Sequence, residues 1–438
     1  MSDRKIILTL AGPAVLQTVI RSLFVIVDAF WVGKMGSVPL AALTSAAFLV
    51  WGFLALGEKI AVGTNALVAQ ATGAGNQELS RRISANNIVN TFFYTILLSL
   101  ALIPLLPLLY SLMNISGEQE SLCNSYLVML LLGFPCITLL STTAAIFRGY
   151  GDTKTPFMLF SLGVSLNFIL APVFIFGFSI IPPLGITGAA LSTLSAFLAA
   201  FLTGLYILKR RKLIDKIRNY RFDKGIIKET FRIGLPIALN GVGFSLIYVF
   251  VSRFVIEYGP DAIAALGIGH RSESLAYQIT VGFSLASSVL VGQNIGAGNP
   301  DRAEKLAWKI LGYASVLMLV YGALLFIFSE EVARFFINDE KVIATASVYN
   351  KIAACVQIFS AAEVILSGAF SGAGDSLPPA IVGLPLNFLR IPLTALFSVL
   401  WGLTGIWIAI CITVVIKGLI MSVWFKGGRW KKRKFALK

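Results

Sequence analysis

Val68-Ala69-Gln70-Ala71-Thr72-Gly73-Ala74-Gly75-Asn76 closes one long apolar run, and Val291-Gly292-Gln293-Asn294-Ile295-Gly296-Ala297-Gly298-Asn299 closes another, 223 residues later. The same offset relates Phe147-Arg148-Gly149-Tyr150-Gly151-Asp152 to Phe370-Ser371-Gly372-Ala373-Gly374-Asp375, Ala41-Ala42-Leu43 to Ala264-Ala265-Leu266, and Pro13 to Pro236. A constant offset across separate motifs marks a duplicated chain. Further along the register slips slightly: Asn167-Phe168 matches Asn387-Phe388, and Gly185-Ile186-Thr187-Gly188 matches Gly402-Leu403-Thr404-Gly405. The glycine pairs Gly73/Gly75 and Gly149/Gly151 fall where helices end, a place where glycine permits a left-handed turn. A nucleotide-binding reading fails, because no strand precedes these glycines and no G-K-[ST] follows.

The runs between the motifs set the class. Of 438 residues, 57% are hydrophobic and 13% charged, with a mean hydropathy of +0.83; a soluble domain carries about 25% charged residues. Most apolar runs are long enough to cross a hydrocarbon core of roughly 30 Å. They place spans near 6–30, 39–70, 85–112, 123–147, 157–178, 186–208, 233–256, 263–293, 306–328, 344–370, 378–398 and 403–425. Spans two and eight are over-long and are expected to tilt or protrude. Pro104, Pro107, Pro135 and Pro172 fall inside or late in spans, where neighbouring helices satisfy the freed backbone groups. The offset covers six spans, an even number, so both halves enter the membrane from one side as parallel repeats. The reading is an all-α polytopic membrane protein of twelve transmembrane helices in two pseudo-symmetric six-helix lobes. The lobes are 1–208 and 233–425, joined by a basic connector at 209–232 and followed by a basic tail at 426–438.

Charge orients the spans. On the side holding both termini lie 25 Lys and Arg; the opposite side has three, Lys34, Arg334 and Lys341, and the remaining eight of 36 fall within spans. The positive-inside rule makes both termini cytoplasmic, in the cell (inner) membrane. The net charge of +15 then reflects orientation and attraction to membrane lipids, and no nucleic-acid partner is indicated. Ile214, Ile217, Tyr220 and Phe222 suit an interfacial helix within the connector. Lys431-Lys432-Arg433-Lys434 forms a second basic anchor. The four cysteines, Cys123, Cys136, Cys355 and Cys411, have no C-x-x-C spacing and mark neither a disulfide framework nor a metal site. The N-terminus runs into apolar sequence without a small-residue cleavage site and reads as an uncleaved first span. With one histidine and no Ser/His/Asp or metal cluster, an enzyme is not expected. Channels and scaffolds fit a duplicated rocking architecture poorly.

Four acidic residues fall within spans: Asp28, Glu58, Glu273 and Glu363. A carboxylate there costs about 2.5–3.5 kcal/mol on the insertion scale, so each needs a partner, a water-filled cavity or a proton. Asp28 stands out within the apolar stretch from Leu23 to Phe30. Its structural alternative is a packing role with Arg21. Glu58 and Lys59 point about 100° apart and cannot simply pair with each other. Glu273 and Glu363 are candidates for a cavity that attracts cations, or for pairing with Lys351, Arg390 or Lys417. His270 is expected to be an ordinary hydrogen-bonded residue.

Val291-Gly292-Gln293 with Gly296-Ala297-Gly298-Asn299, Arg148-Gly149-Tyr150-Gly151-Asp152, Leu166-Asn167 and Asp28, in this order over nearly the whole chain, resemble the multidrug and toxic compound extrusion family. The resemblance implies two six-helix lobes around a V-shaped cavity and secondary active antiport: amphipathic, mostly cationic compounds leave as protons or sodium ions enter. It implies no further cofactor. It also implies a first-lobe cation-coupling site of Asp28, Asn167 and Thr193, a first helix that bends at Pro13, and substrate-cavity roles for Glu273, Glu363 and Glu58. The chain departs from members that carry a second acid one turn after the asparagine, having Ala171 there, and from members with a tyrosine where it has Phe24. That departure favours protons over sodium. The expected partners are small molecules and lipids, with the chain a monomer. The alternative is export of a lipid-linked precursor, as related two-lobe transporters perform, which a lipid-wide cationic groove would favour.

Overall fold

The duplicated motifs are helix caps of one geometry. The computed structural model describes residues 2–215, 222–433 and 437, the side chains of Ser245 and Val249 excepted. In the first half the Asn76 amide reaches back to the Ala71 carbonyl at 3.0 Å, and the Asp152 amide to Phe147 at 2.9 Å. In the second half Asn299 reaches Asn294 at 2.8 Å and Asp375 reaches Phe370 at 2.9 Å. Each such bond closes a helix end over a left-handed residue, here Gly75, Gly151, Gly298 and Gly374 with φ of 73°, 87°, 74° and 77°. The expectation that both glycines of a pair turn is therefore corrected. Gly73 and Gly149 remain helical, and Gly149 serves close packing, since a Cβ there would lie 2.7 Å from Val68.

The helices in chain order are α1 (Asp3–Gly33), α2 (Ser37–Gly57), α3 (Lys59–Gly73), α4 (Gln77–Leu102), α5 (Leu106–Leu112), α6 (Gly117–Leu132), α7 (Phe134–Gly149), α8 (Lys154–Phe176) and α9 (Gly185–Arg210). They continue as α10 (Lys224–Ile256), α11 (Pro260–Gly296), α12 (Pro300–Ile327), α13 (Ser329–Arg334), α14 (Glu340–Cys355), α15 (Gln357–Gly372) and α16 (Leu377–Lys426). Among the described residues nine stretches are long and apolar enough to cross a membrane. The bent pairs α6–α7 and α14–α15, with angles of 50° and 55°, bring this to eleven. Their break points, Gly133 and Val356, are equivalent under the duplication. The twelfth comes from α16. Its 50 residues would run about 75 Å as one straight helix, over twice a hydrocarbon core. It breaks at Trp401 and Gly402, where Gly402 has φ 59° and ψ −142°. Gly185, its counterpart in the first half, has φ 58°.

The over-long second span is two helices, α2 and α3, that meet at Glu58 with φ −85° and ψ −1°. The eighth, α11, is unbroken over 37 residues, about 55 Å at a helical rise.

By packing the chain forms two units. One comprises Leu16–Leu235 with Phe435–Lys438, the other Met1–Val15 with Pro236–Lys434. The sequence division at the 209–232 connector follows the duplication; the packing seams fall instead inside α1 and α10, beside the equivalent prolines Pro13 and Pro236. The core of the first unit packs Phe24, Phe53, Phe134, Phe160 and Phe197 with small residues such as Ala144 and Ala190. The second unit has separate clusters, one around Phe283, Phe370 and Phe425, another around Tyr349 and Trp407.

In the connector Ile214 is buried, Asp215 lies 3.6 Å from Arg81, and Asp223 binds Arg82 at 2.5 Å while accepting from the amides of Gly225 and Ile226. Of the expected interfacial helix, Ile217 and Tyr220 lie outside the described residues, and Phe222 is exposed. The tail is docked on the second unit. Trp430 is fully buried and stacked on Phe425, Lys431 binds Asp301 and Glu304, and Arg433 binds Asp375.

Candidate functional site

Asp28 sits on α1, one turn after Phe24, in the interior of the first unit and 4% exposed. The Phe24 ring stacks on Phe197 with centroids 4.4 Å apart, and Gly163 leaves room for its edge. Phe24 therefore belongs to the packing that positions α1, not to the polar set. Asn167 reaches Asp28 from α8 and Thr193 from α9, though they lie 139 and 165 residues away in the chain. Asn167 donates from Nδ2 to Asp28 Oδ1 at 3.0 Å. The Thr193 hydroxyl lies 3.1 and 3.0 Å from the two carboxylate oxygens. Ser192, absent from the sequence-predicted set, lies beside them with its Oγ 2.9 Å from Asn167 Oδ1. Its only sequence signal was adjacency to Thr193.

The result is a buried cluster of five side-chain oxygens: two of Asp28 and one each of Asn167, Thr193 and Ser192. It can hold a proton on the carboxyl, with the hydroxyl and amide turned to suit, or offer oxygens to a small hard cation. Ala171 is fully buried one turn beyond Asn167 and supplies nothing to either.

Glu58 is not in this cluster. It pairs with Arg21 through both terminal nitrogens, one of them at 3.2 Å, and accepts from Ser141 Oγ at 2.9 Å. Arg21 is thereby taken from the packing role with Asp28 that the sequence left open. Lys59, beside Glu58, points elsewhere, as its helical phase requires. Its Nζ lies 4.1 Å from the centroid of Tyr94 and 4.4 Å from that of Phe231, a cation–π arrangement that offsets the loss of water. The motif residue Arg148 is buried and donates to Gln17 Oε1 at 3.1 Å.

In the second unit Glu273 accepts from the Tyr349 hydroxyl at 2.8 Å, and Glu363 pairs with Lys417 at 2.7 Å. Of the three partners weighed for these acids, Lys417 is the one that pairs; Lys351 lies 3.9 Å from Glu330. The expectation of an ordinary hydrogen-bonded His270 is corrected. Its Nε2 is buried without a hydrogen-bond partner, and its ring packs edge-on against Tyr248 at 4.6 Å. Pro13 lies inside α1, fifteen residues before Asp28. Among the described residues no group of three or more His, Cys, Asp and Glu side chains could hold a metal.

The MatE family model matches residues 13–173 and 236–396, one segment in each half. A probable multidrug resistance protein NorM of Thermotoga maritima is 28% identical, the match covering 98% of this chain and 94% of the relative. An FAD transporter of Shewanella oneidensis is 27% identical over 90% of this chain and 88% of its own. A solved structure of a MOP superfamily transporter from Pyrococcus furiosus has the same fold, with a TM-score of 0.90 at 23% identity, covering 99% of this chain and 98% of that one. The two matched segments begin at Pro13 and Pro236, the pair that the internal offset equates, and this multi-pass membrane chain belongs to the MatE family.

Proposed function

We propose that this chain is a secondary active antiporter that exports amphipathic, mostly cationic compounds by alternating access, in exchange for protons or sodium ions. The observation that carries this reading is the closed carboxylate cluster of Asp28, Asn167 and Thr193. A buried acid whose hydrogen-bond partners among the described residues are neutral is poised to take up a proton or a cation, or to exchange it, when its access to water changes. Such an exchange couples to transport if the opening of the site alternates with that of a substrate cavity. The names of the relatives, multidrug resistance proteins among them, support drug efflux as the transported flux. Membership of a duplicated transporter family supports rocking of one half against the other. The charge asymmetry supports cytoplasmic termini in the cell membrane.

The test is ethidium transport by purified protein in proteoliposomes under an imposed pH or sodium gradient. Wild type should move ethidium against its own gradient, and Asp28→Asn should lose at least tenfold in rate while remaining folded. Transport that persists undiminished in Asp28→Asn removes the coupling role.

A further inference from the structure

The buried charge of the first half changes sign in the second. Asn387 answers Asn167 and Pro392 answers Pro172 at an offset of 220, and the same register sets Arg390 opposite Leu170. The counterpart of Asp28, at the offset of 223, is Val251, which is fully buried. The second half has thus replaced the carboxylate with an apolar side chain and gained a cation one turn after the matching asparagine.

Arg390 is 1% exposed. Its Nε and one terminal nitrogen converge on a single acceptor, Thr413 Oγ1, at 3.0 and 2.9 Å. The guanidinium carbon lies 6.0 Å from the Phe244 ring centroid and 5.5 Å from that of Tyr248. Among the described residues no carboxylate oxygen lies within 4.0 Å of it. Elsewhere in this unit Lys417 pairs with Glu363, and Glu273 accepts from the neutral Tyr349 hydroxyl and interacts with Arg390 only at longer range. A guanidinium keeps its proton at any physiological pH, so Arg390 cannot relieve its burial by neutralising. It is a membrane-embedded cation whose five donors are met by two neutral hydroxyls, those of Thr413 and Tyr248. Asn387 Oδ1 and His270 Nε2 are also buried there without partners.

The rings in front of Arg390 form a continuous aromatic series. Tyr248 meets His270 at 4.6 Å, His270 meets Tyr349 at 6.2 Å, and Tyr349 meets Trp407 at 5.0 Å. Phe244, Tyr248, His270 and Glu273 are partly exposed. Within a span, ionisable side chains almost always face the bundle interior or a water-filled cavity rather than lipid.

We propose that the second half carries an anion subsite at Arg390, which takes the carboxylate or phosphate group of a planar aromatic amphiphile. The transported range then extends to anionic and zwitterionic compounds. The anion pairs with the guanidinium in the fork geometry suited to oxyanions, and its ring system stacks on the aromatic series. This deepens the efflux reading by naming a substrate class, and its test is an equilibrium binding measurement that needs no ion gradient.

Fluorescein, an aromatic dianion, is titrated against the purified full-length protein in detergent and followed by polarisation, with ethidium as the cationic reference. Wild type should bind fluorescein saturably. Arg390→Met should weaken that binding at least tenfold, Arg390→Lys by less, and both should leave ethidium affinity within twofold. Inorganic phosphate should compete with fluorescein and not with ethidium. Absence of saturable fluorescein binding to wild type overturns the proposal even if the variants fail to fold. So does equal fluorescein affinity in Arg390→Met, or an equal loss of both dyes. Ethidium transport that survives such a result leaves the efflux reading standing by itself.

Discussion

Arg21 closes on Glu58 with both terminal nitrogens, across 37 residues of chain and from the helix that also carries Asp28. The pair is partly open, with side chains 34% and 23% exposed, so removing one partner costs less than it would in a fully buried pair. Removing one partner is nevertheless expected to cost about 1–3 kcal/mol, since it strands a charge inside a span. Glu58→Gln should lower the thermal midpoint, and Arg21→Met combined with Glu58→Met should recover part of the loss. If Glu58 is structural, ethidium transport per folded molecule survives in the double variant. A dead double variant with a wild-type midpoint would instead give Glu58 a role in handling ion or substrate.

Outside the spans the same Asp–Arg clamp holds the turn of each repeat: Asp152 with Arg211 at 2.7 Å, and Asp375 with Arg433 at 3.1 Å. Burial raises the Asp152 pKa, but hydrogen bonds from Thr155 and Arg211 outweigh it and leave the carboxyl below its ordinary 3.8. A depressed folded value means that the stabilisation is complete above about pH 4 and disappears as pH falls through the folded value. Asp152→Asn should cost about 1 kcal/mol at pH 7. The gap to wild type should narrow as pH falls below 3.8 and through the folded value. A gap that stays constant from pH 7 to pH 3 would show that the clamp does not depend on the charge.

How much of this was legible beforehand depends on range along the chain. The helical class, the spans and the duplication follow from local patterns, because hydropathy and the glycine caps each occupy a single stretch. The continuation of α16 through Leu400 into the last span was not legible. In the first half residues 177–184 separate α8 from α9, whereas the second half turns on Trp401 and Gly402. The fall of the repeat offset from 220 at Pro392 to 217 at Gly402 reflects this shorter connection. The cluster around Asp28 became visible through family resemblance, because nothing local joins residues 139 and 165 positions away. Ser192 needed the fold, as did the choice of Lys417 among the three partners weighed for Glu363. Arg390 was considered as a partner for an acid, and its lack of one appears only when the neighbours are in place.

The orientation rests on charge asymmetry and is open to direct labelling. Cys355 is exposed, so the experiment begins in a background with the four native cysteines replaced. A cysteine at Lys216 should be protected from an impermeant thiol reagent in intact cells, and one at Glu118 should react. The reverse pattern would invert the topology.

Pro13 lies within α1, two residues before the packing seam that follows Val15. A proline in a helix removes one backbone donor and crowds the preceding turn, so it makes a hinge. If α1 bends there when Asp28 changes its proton or ion, Pro13→Ala should slow ethidium transport severalfold. It should leave the thermal midpoint unchanged or higher. Wild-type rates in this variant would make Pro13 only a helix-entry residue.

The cluster at Asp28 holds one carboxylate, with neutral oxygens from Asn167, Thr193 and Ser192. A sodium ion is a hard cation served by several oxygens, and a second carboxylate would help to offset its dehydration. A proton needs only the one acid in a site closed to water. Ala171, fully buried one turn after Asn167, is where that second acid would stand. We therefore expect a pH gradient to drive ethidium efflux in proteoliposomes, and a sodium gradient with pH clamped to drive it weakly. Ala171→Asp should raise the sodium-driven rate severalfold and reduce the proton-driven one, because two acids sharing the site favour a bound cation over a single proton. Since burying a second acid strains the fold, the wild-type comparison of the two gradients is the primary measurement. Full sodium drive in wild type, abolished by Asp28→Asn, would overturn the proton preference outright. Sodium drive unchanged in a folded Ala171→Asp would show that position 171 does not reach the ion.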